Sequence, residues 1–163
     1  MEIKIREYKN SDFNELLKAN ENLIDHMIKL DKLKRIRRLP SYGKSYTKNL
    51  LLKVKKNDGI IFVAEYNKKF IGFIAGFIEK QSKEELLECI PTKIGKVEDL
   101  FVYSEYRSKN LGKILMKNIE SYFKKKKCDV IRLHVFALNS RAHEFYKRLL
   151  YHDRQISMLK RIK

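Results

Sequence analysis

The sequence of 163 residues is poor in cysteine, proline and glycine, and it has no long apolar run. Its two cysteines, Cys89 and Cys128, are far apart and outside any CxxC pair, which argues against a disulfide scaffold or a zinc knuckle. We favour the interpretation that both cysteines serve as small apolar side chains over the interpretation that one is a catalytic thiol. No apolar stretch approaches the roughly 20 residues of a membrane helix, and the charged N-terminus lacks the apolar core of a signal peptide. We therefore expect a cytoplasmic protein with no membrane partner.

Linkers, internal repeats and low-complexity segments are also missing from the chain. Pro40 and Pro91 stand alone in separate polar stretches, and apolar residues recur along the whole length. These features predict one domain over residues 1–163, large enough to bury a core.

Acidic residues are the minority charge, with 20 against 37 basic residues and a net charge of +17. Such a surface attracts polyanions, so a nucleic-acid-binding module is one interpretation and a phosphate-bearing cofactor is another. A lysine-rich surface that serves only solubility is a third. A nucleic-acid module needs exposed aromatics among its basic residues, whereas most aromatics here occupy strand or helix core positions. We therefore expect no specific nucleic-acid partner.

The apolar periodicity predicts the element order β-α-α-β-β-β-α-β-α-β. A hairpin follows from two β-rich runs that Asn67-Lys68-Lys69 joins, and the strand–helix–strand unit at 93–136 predicts a parallel crossover. The fold class is therefore α/β with a mixed sheet and helices on both faces. The predicted strands cover 2–8, 60–66, 70–79, 93–103, 130–136 and 155–162, and the helices cover about 12–33, 46–56, 111–127 and 139–149.

A strand that ends in a basic turn and opens a helix is the most informative motif. It reads VEDLFVYSEYRSKNLGK over residues 97–113. A helix start offers main-chain N–H groups without intrahelical partners, and these groups bind anions. Asn110 tolerates a left-handed backbone and Gly112 has no side chain that would block approach. The turn therefore predicts a pyrophosphate site.

This turn resembles the acyl-CoA-binding motif of the GNAT N-acetyltransferase superfamily, R/Q-x-x-G-x-G/A, with Arg107 and Gly112 at its ends and Asn110 at the middle glycine. A second stretch, LHVFALNSRAHEFYKRLLY over residues 133–151, is similar to the family pattern L-x-V-x-x-x-N-x-x-A-x-x-F/L-Y-x-x-x-G-F. Leu150 stands where glycine is usual and Tyr151 where phenylalanine is usual. The likeness covers roughly residues 60–160.

The resemblance implies an acetyl-CoA cosubstrate whose pantetheine arm lies between two splayed parallel strands, 93–103 and 130–136. The arm would contact the backbone of strand residues Leu100, Phe101 and Val102, where the peptide N–H near Phe101 could stabilise an oxyanion. Asn139 would face the cofactor. The pyrophosphate would be held by the turn residues Arg107, Ser108, Lys109, Asn110, Leu111, Gly112 and Lys113.

The implied reaction is direct attack of a neutral primary amine on the thioester in a ternary complex. An alkylamine has a pKa near 10.4 and must lose a proton first, which a carboxylate can accept. By strand alternation Glu98 and Asp99 face opposite sides of the sheet. We favour Glu98 as the base, with Asp99 in reserve. Tyr146 matches the family's general acid and would also contact the cofactor.

The sequence does not decide whether the acetyl acceptor is a small amine or a protein amine. The positive field argues against a polycation, although the acidic segment Glu84–Glu88 could reverse that field locally. His26 is a weak candidate for the acceptor pocket. No metal-ligand spacing is present, so we expect no metal. A GNAT-fold sensor that binds acyl-CoA without turnover is the alternative function, and the family resemblance suggests a homodimer.

Overall fold

A five-stranded mixed sheet in the order β1-β2-β3-β4-β5 forms the centre of the molecule. The computed structural model describes residues 3–107 and 109–162. The pairs β1–β2, β2–β3 and β3–β4 are antiparallel, and the pair β4–β5 is parallel. The strands are β1 Lys4–Glu7, β2 Ile60–Tyr66, β3 Lys69–Glu79, β4 Ile94–Val102 and β5 Val130–Leu133. The predicted mixed α/β sheet is confirmed.

Five α-helices surround the sheet in the described part of the chain. They are α1 Phe13–Leu30, α2 Tyr42–Lys56, α3 Glu85–Glu88, α4 Leu111–Lys125 and α5 Ser140–Arg148. Among the described residues, no helix combines the length and the apolar character that crossing a bilayer requires. The same residues include no cluster of three or more His, Cys, Asp or Glu side chains that could hold a metal ion.

The predicted hairpin is the tight connection between β2 and β3. Tyr66 pairs with Lys69, so the loop is Asn67 and Lys68 alone. Both have positive φ, 48° and 62°, as a two-residue turn between twisted strands requires.

Each face of the sheet buries its own core, and β3 contributes side chains to both. Ile71 and Ile74 pack with α4, while Phe73 and Ala75 pack with α1 and α2. The predicted helices on both faces are therefore confirmed. Phe123 of α4 is fully buried, and it presses so close to β4 that a Cβ added at Gly95 would lie 2.4 Å from its ring.

Two segments differ from the sequence-based expectation. The segment 155–162 forms no strand, and its apolar side chains Ile156, Met158, Leu159 and Ile162 are exposed. An alternating pattern specifies a strand only where a sheet edge receives it, and this segment is not paired to the sheet. Strand β5 ends at Leu133 instead of residue 136, because Leu133 is the last residue paired with β4.

Candidate active site

The parallel strands β4 and β5 separate halfway along β4. Their last pair is Val97 with Leu133, whereas β4 continues to Val102. At the same point β4 carries a bulge, since Val97 pairs with Gly76 and Asp99 with Ala75, which leaves Glu98 without an opposite residue. A gap therefore opens beside the second half of β4.

The main chain of β4 presents alternate residues to this gap. Tyr103 donates its N–H to the carbonyl of Ile71 in β3 at 3.1 Å. Since bonding alternates along an antiparallel pair, the main chain of Phe101 also faces β3. The main-chain groups of Leu100 and Val102 then point into the gap.

Helix α4 begins at the mouth of this gap. Its N-cap, Asn110, has φ 59° and ψ 5°, a left-handed conformation that asparagine tolerates. The carbonyl of Asn110 accepts from the N–H of Ile114 at 3.0 Å, so the amides of Leu111, Gly112 and Lys113 precede the first intrahelical bond. Such amides and the positive helix end suit an anion.

The side chains of the turn differ in what they do. Arg107 folds back, and its Nε donates to the carbonyl of Val102 at 2.9 Å. The ammonium of Lys109 lies 5.7 Å from the ring centre of Tyr106, and Lys113 is exposed. Ser108, predicted to bind the cofactor, lies outside the described residues.

Gly112 has a packing role that the sequence did not indicate. A Cβ at this position would lie 3.2 Å from the ring of Phe145 in α5. Because Gly112 has no side chain, α5 can approach the start of α4. From the sequence, we had expected this glycine to leave room for the cofactor instead.

Glu98 and Asp99 both point towards α2. Glu98 accepts from Lys53 at 2.7 Å and pairs with Lys96 at 3.2 Å, while Asp99 accepts from the hydroxyl of Tyr46 at 2.9 Å. The expectation that the two carboxylates face opposite sides of the sheet is thus wrong. The bulge shifts the alternation by one residue.

The environments of these two carboxylates push their pKa values apart. Burial alone would raise the pKa of Glu98, but the hydrogen bonds and charges of Lys53 and Lys96 outweigh it and lower the pKa. Burial raises the pKa of Asp99 to about 6; the charge of Glu98 adds to the rise, and the hydrogen bond from Tyr46 opposes it. Divergent pKa values in neighbouring acids are typical of acid–base sites.

Tyr146 of α5 lies on the opposite face of the sheet from these carboxylates, packed with the α4 core. Burial, followed by the negative charge of Asp99, raises the pKa of its phenol to about 12. The charge of Asp99 therefore acts electrostatically on the phenol of Tyr146 across the sheet. The phenol keeps its proton at neutral pH.

Asn139 is the N-cap of α5, where its side-chain oxygen accepts from the N–H of Ala142 at 3.2 Å. Burial and the charges of Arg107 and Lys29 lower the pKa of His26, while a hydrogen bond with Asn139 opposes the shift. His26 thus lies beside residues predicted to bind the cofactor, whereas the sequence placed it in the acceptor pocket.

Ion pairs cross the sheet from α2 to α3. Beyond the pairs of Glu98, Lys96 bonds to Glu79 at 3.5 Å and Arg132 to Glu79 at 2.9 Å. Arg132 also lies 3.7 Å from Glu85 of the acidic segment. The acidic segment is therefore partly neutralised.

Two cavities lie along α2 and share Tyr46 and Asn49. The first, of about 400 Å³, also contacts Lys53 and Glu98, and the second, of about 360 Å³, contacts Arg37 and Tyr42. Sequence reasoning missed Tyr46 and Lys53. Their spacing of seven residues indicates that they share one helix face. Which strand residues they contact depends on how α2 packs against the sheet.

Comparisons with known proteins agree with this geometry. Residues 24–150 match the model of the acetyltransferase (GNAT) family. An uncharacterized N-acetyltransferase of Methanocaldococcus jannaschii is 30% identical over 117 residues, which are 67% of this chain. This chain spans 48% of that relative's length.

Two solved structures share the fold. A mutant of the BH1408 protein from Bacillus halodurans has a TM-score of 0.85 at 20% identity, over 98% of this chain and 99% of that one. Aminoglycoside N-acetyltransferase AAC(6')-Iy in complex with CoA has a TM-score of 0.73 at 14% identity, over 98% of this chain and 94% of that one. By the family match, the chain belongs to the GNAT family of acetyltransferases.

Proposed function

We propose that the protein transfers an acetyl group from acetyl-CoA to a primary amine. The observation that carries the proposal is the gap that opens where the pairing of β4 and β5 ends. The first amides of α4 precede its first intrahelical bond, and the charge of Asp99 acts on Tyr146. As the sequence analysis expects, the proposal includes a cytoplasmic location and a homodimer.

The residues around the gap fit an acyl-CoA. The main chains of Leu100 and Val102 face the gap. Apart from the Val102 carbonyl, which accepts from Arg107, their donors and acceptors can bind the amide-bearing arm. We therefore assign to these two residues the arm contacts that the sequence analysis gave to Leu100, Phe101 and Val102. The amides of Leu111, Gly112 and Lys113, with the side chains of the turn from Arg107 to Lys113, suit the diphosphate. The complex of AAC(6')-Iy, which has the same fold, with CoA supports the choice of an acyl-CoA as the cosubstrate. The bound cosubstrate supplies the acetyl thioester.

Asp99 accepts a proton from the ammonium group of the acceptor, which leaves the neutral amine to attack the thioester. Glu98 acts on Asp99 through its charge. A base works best with a pKa near the working pH, and the pKa of Asp99 is raised to about 6. Glu98 has a lowered pKa and is held by two ammonium groups, so it is the weaker proton acceptor. Tyr46 orients the carboxylate of Asp99 by donating to it.

Tyr146 donates a proton to the leaving sulfur. Its raised pKa keeps the hydroxyl protonated up to strongly alkaline pH. The main-chain N–H of Leu100, which points into the gap, can stabilise negative charge that develops on the acetyl oxygen.

Thermal melting with acetyl-CoA, followed by release of free thiol across a panel of amines, tests the proposal. Binding raises the melting temperature by mass action. Lys113→Glu should reduce that rise, because Lys113 lies in the first turn of α4, and Lys117→Glu, one turn further on, is the matched control. No rise with saturating acetyl-CoA would contradict the proposal. A rise without thiol release from any amine would instead identify a sensor.

A further inference from the structure

The segment between α1 and α2 holds an arginine beside the second cavity along α2. This segment, residues 31–41, contains five basic residues: Lys32, Lys34, Arg35, Arg37 and Arg38. Of these, only Arg37 lines that cavity.

The segment has a defined conformation. The carboxylate of Asp31 accepts the main-chain N–H groups of Leu33 and Ile36 at 3.0 and 2.8 Å. Arg38 bonds to Asp25 through two nitrogens, at 2.7 and 3.0 Å, and lies 3.6 Å from Glu21. These contacts fix the backbone on both sides of Arg37.

Arg37 differs from Arg38 in having no protein carboxylate. Among residues 3–107 and 109–162, no hydrogen bond or ion pair engages its side chain, and it is exposed. A guanidinium beside a cavity, with its five donors unengaged by protein, is suited to a planar carboxylate or a phosphate.

The rest of the cavity leads towards the proposed base. It is lined by Leu39, Ser41, Tyr42, Ser45, Tyr46 and Asn49. Tyr42 and Tyr46 are stacked with ring centres 5.3 Å apart, and the hydroxyl of Tyr46 bonds to Asp99. The cavity thus extends from Arg37 to Tyr46, whose hydroxyl reaches Asp99.

We infer that the acceptor is a small primary amine that carries an anionic group, a carboxylate or a phosphate, at the end remote from the amine. Arg37 binds the anionic group, and Asp99 and Glu98 face the ammonium end. This inference rests on the proposed acetyl transfer and adds the substrate class.

The experiment compares an ω-aminoalkanoate, an ω-aminoalkanol and an α,ω-diaminoalkane of equal chain length, in several lengths, by thiol release with saturating acetyl-CoA. Phosphoethanolamine and ethanolamine form a second pair that separates phosphate from carboxylate recognition. We expect kcat/KM to be highest for an anionic amine and lowest for the diamine, and the preference to weaken with salt.

Arg37→Ala should lower kcat/KM for the anionic amine by about tenfold or more, the usual cost of losing a charged hydrogen-bond partner. The loss for the aminoalkanol should be much smaller. Arg37→Lys should retain part of the preference. Arg35→Ala removes a cation from the same segment that lines neither cavity, and it should change nothing. Calorimetry of amine binding in the presence of CoA should show the same order.

Equal rates for the three amines, a preference for the diamine, or equal losses in Arg37→Ala and Arg35→Ala would overturn the inference and leave acetyl transfer standing. Melting raised by acetyl-CoA without thiol release from any amine would overturn both the inference and the transferase proposal. Absence of any acetyl-CoA effect would remove the cofactor site as well.

Discussion

The two faces of the sheet differ in what fills them. On the α4 face, apolar side chains such as Leu115, Ile119 and Phe123 are fully buried against the strands. On the α2 face, the part of β4 around Glu98 and Asp99 contacts lysines and a tyrosine hydroxyl. Buried apolar contacts stabilise a fold, whereas buried charge costs free energy unless it is paired. The comparison teaches that the α4 face is apolar around its core, whereas the α2 face combines an apolar core with the two carboxylates of the proposed site.

The largest expected effect is on the polar face and concerns turnover. Asp99→Asn removes the proton acceptor and should lower kcat/KM by about 100- to 10,000-fold, the usual range for a general base. Thiol-release kinetics and a melting curve measure activity and stability separately. Glu98→Gln is the matched control and should lose less. If Glu98→Gln lost more activity than Asp99→Asn, the assignment of the base would be reversed.

The next largest effect is on the apolar face and concerns stability. Phe123→Ala should lower the free energy of unfolding by about 3–5 kcal/mol, because it leaves a cavity under α4. Denaturant unfolding measures the loss, and Ile114→Ala, at a more exposed position of the same helix, should cost far less. Similar losses in the two variants would contradict the division between the faces.

A smaller effect concerns the pH dependence of turnover. A base acts in its deprotonated form, so kcat/KM should rise with pH through the pKa of Asp99, about 6. The charge of Lys53 lowers that pKa, and Lys53→Gln should therefore move the acid limb of the profile to higher pH. Lys55→Gln, on the same helix outside the cavities, is the control. An acid limb that stays in place, or moves to lower pH, would argue against Asp99 as the titrating group.

The smallest effect is at the end of α5, away from both faces. Leu150 has φ 66° and lies where the helix closes, with Tyr151 donating to Tyr146 at 3.1 Å and Leu150 to Lys147 at 2.9 Å. Its side chain is 81% exposed, so little packing offsets the strain. Leu150→Gly should therefore stabilise the protein by about 0.5–1 kcal/mol.

Denaturant unfolding of Leu150→Gly tests this prediction, with Glu144→Gly inside α5 as the opposite control. Glycine at that helical position should destabilise by about 1 kcal/mol. Destabilisation by both substitutions would show that the leucine side chain makes contacts that outweigh its backbone strain.

Most of the fold could be predicted because local patterns decide it. The β-rich run of β3 and the helical period of α4 predicted which elements form, and Asn110 adopts a left-handed conformation that its residue type was expected to tolerate. The terminal segment 155–162 shows the limit, since its pattern suits a strand but no neighbour pairs with it.

The candidate site was predicted in its parts but not in its arrangement. The anion-binding turn, the carboxylates and Tyr146 stand out in the sequence. The roles of Glu98 and Asp99 could not be separated, because the bulge that turns both towards α2 arises from how β3 and β4 pair. Lys53 and Tyr46 influence the pKa values of Glu98 and Asp99. They are far from both carboxylates in the sequence, so the sequence does not indicate these contacts.

By itself, the sequence determined the family, the order of the elements and the turn that opens α4, because these depend on residues close together in the chain. Only the tertiary structure decided which carboxylate has the raised pKa and which arginine is left beside the cavity. Both depend on burial and on charges brought together from distant segments, and electrostatic interactions act through space.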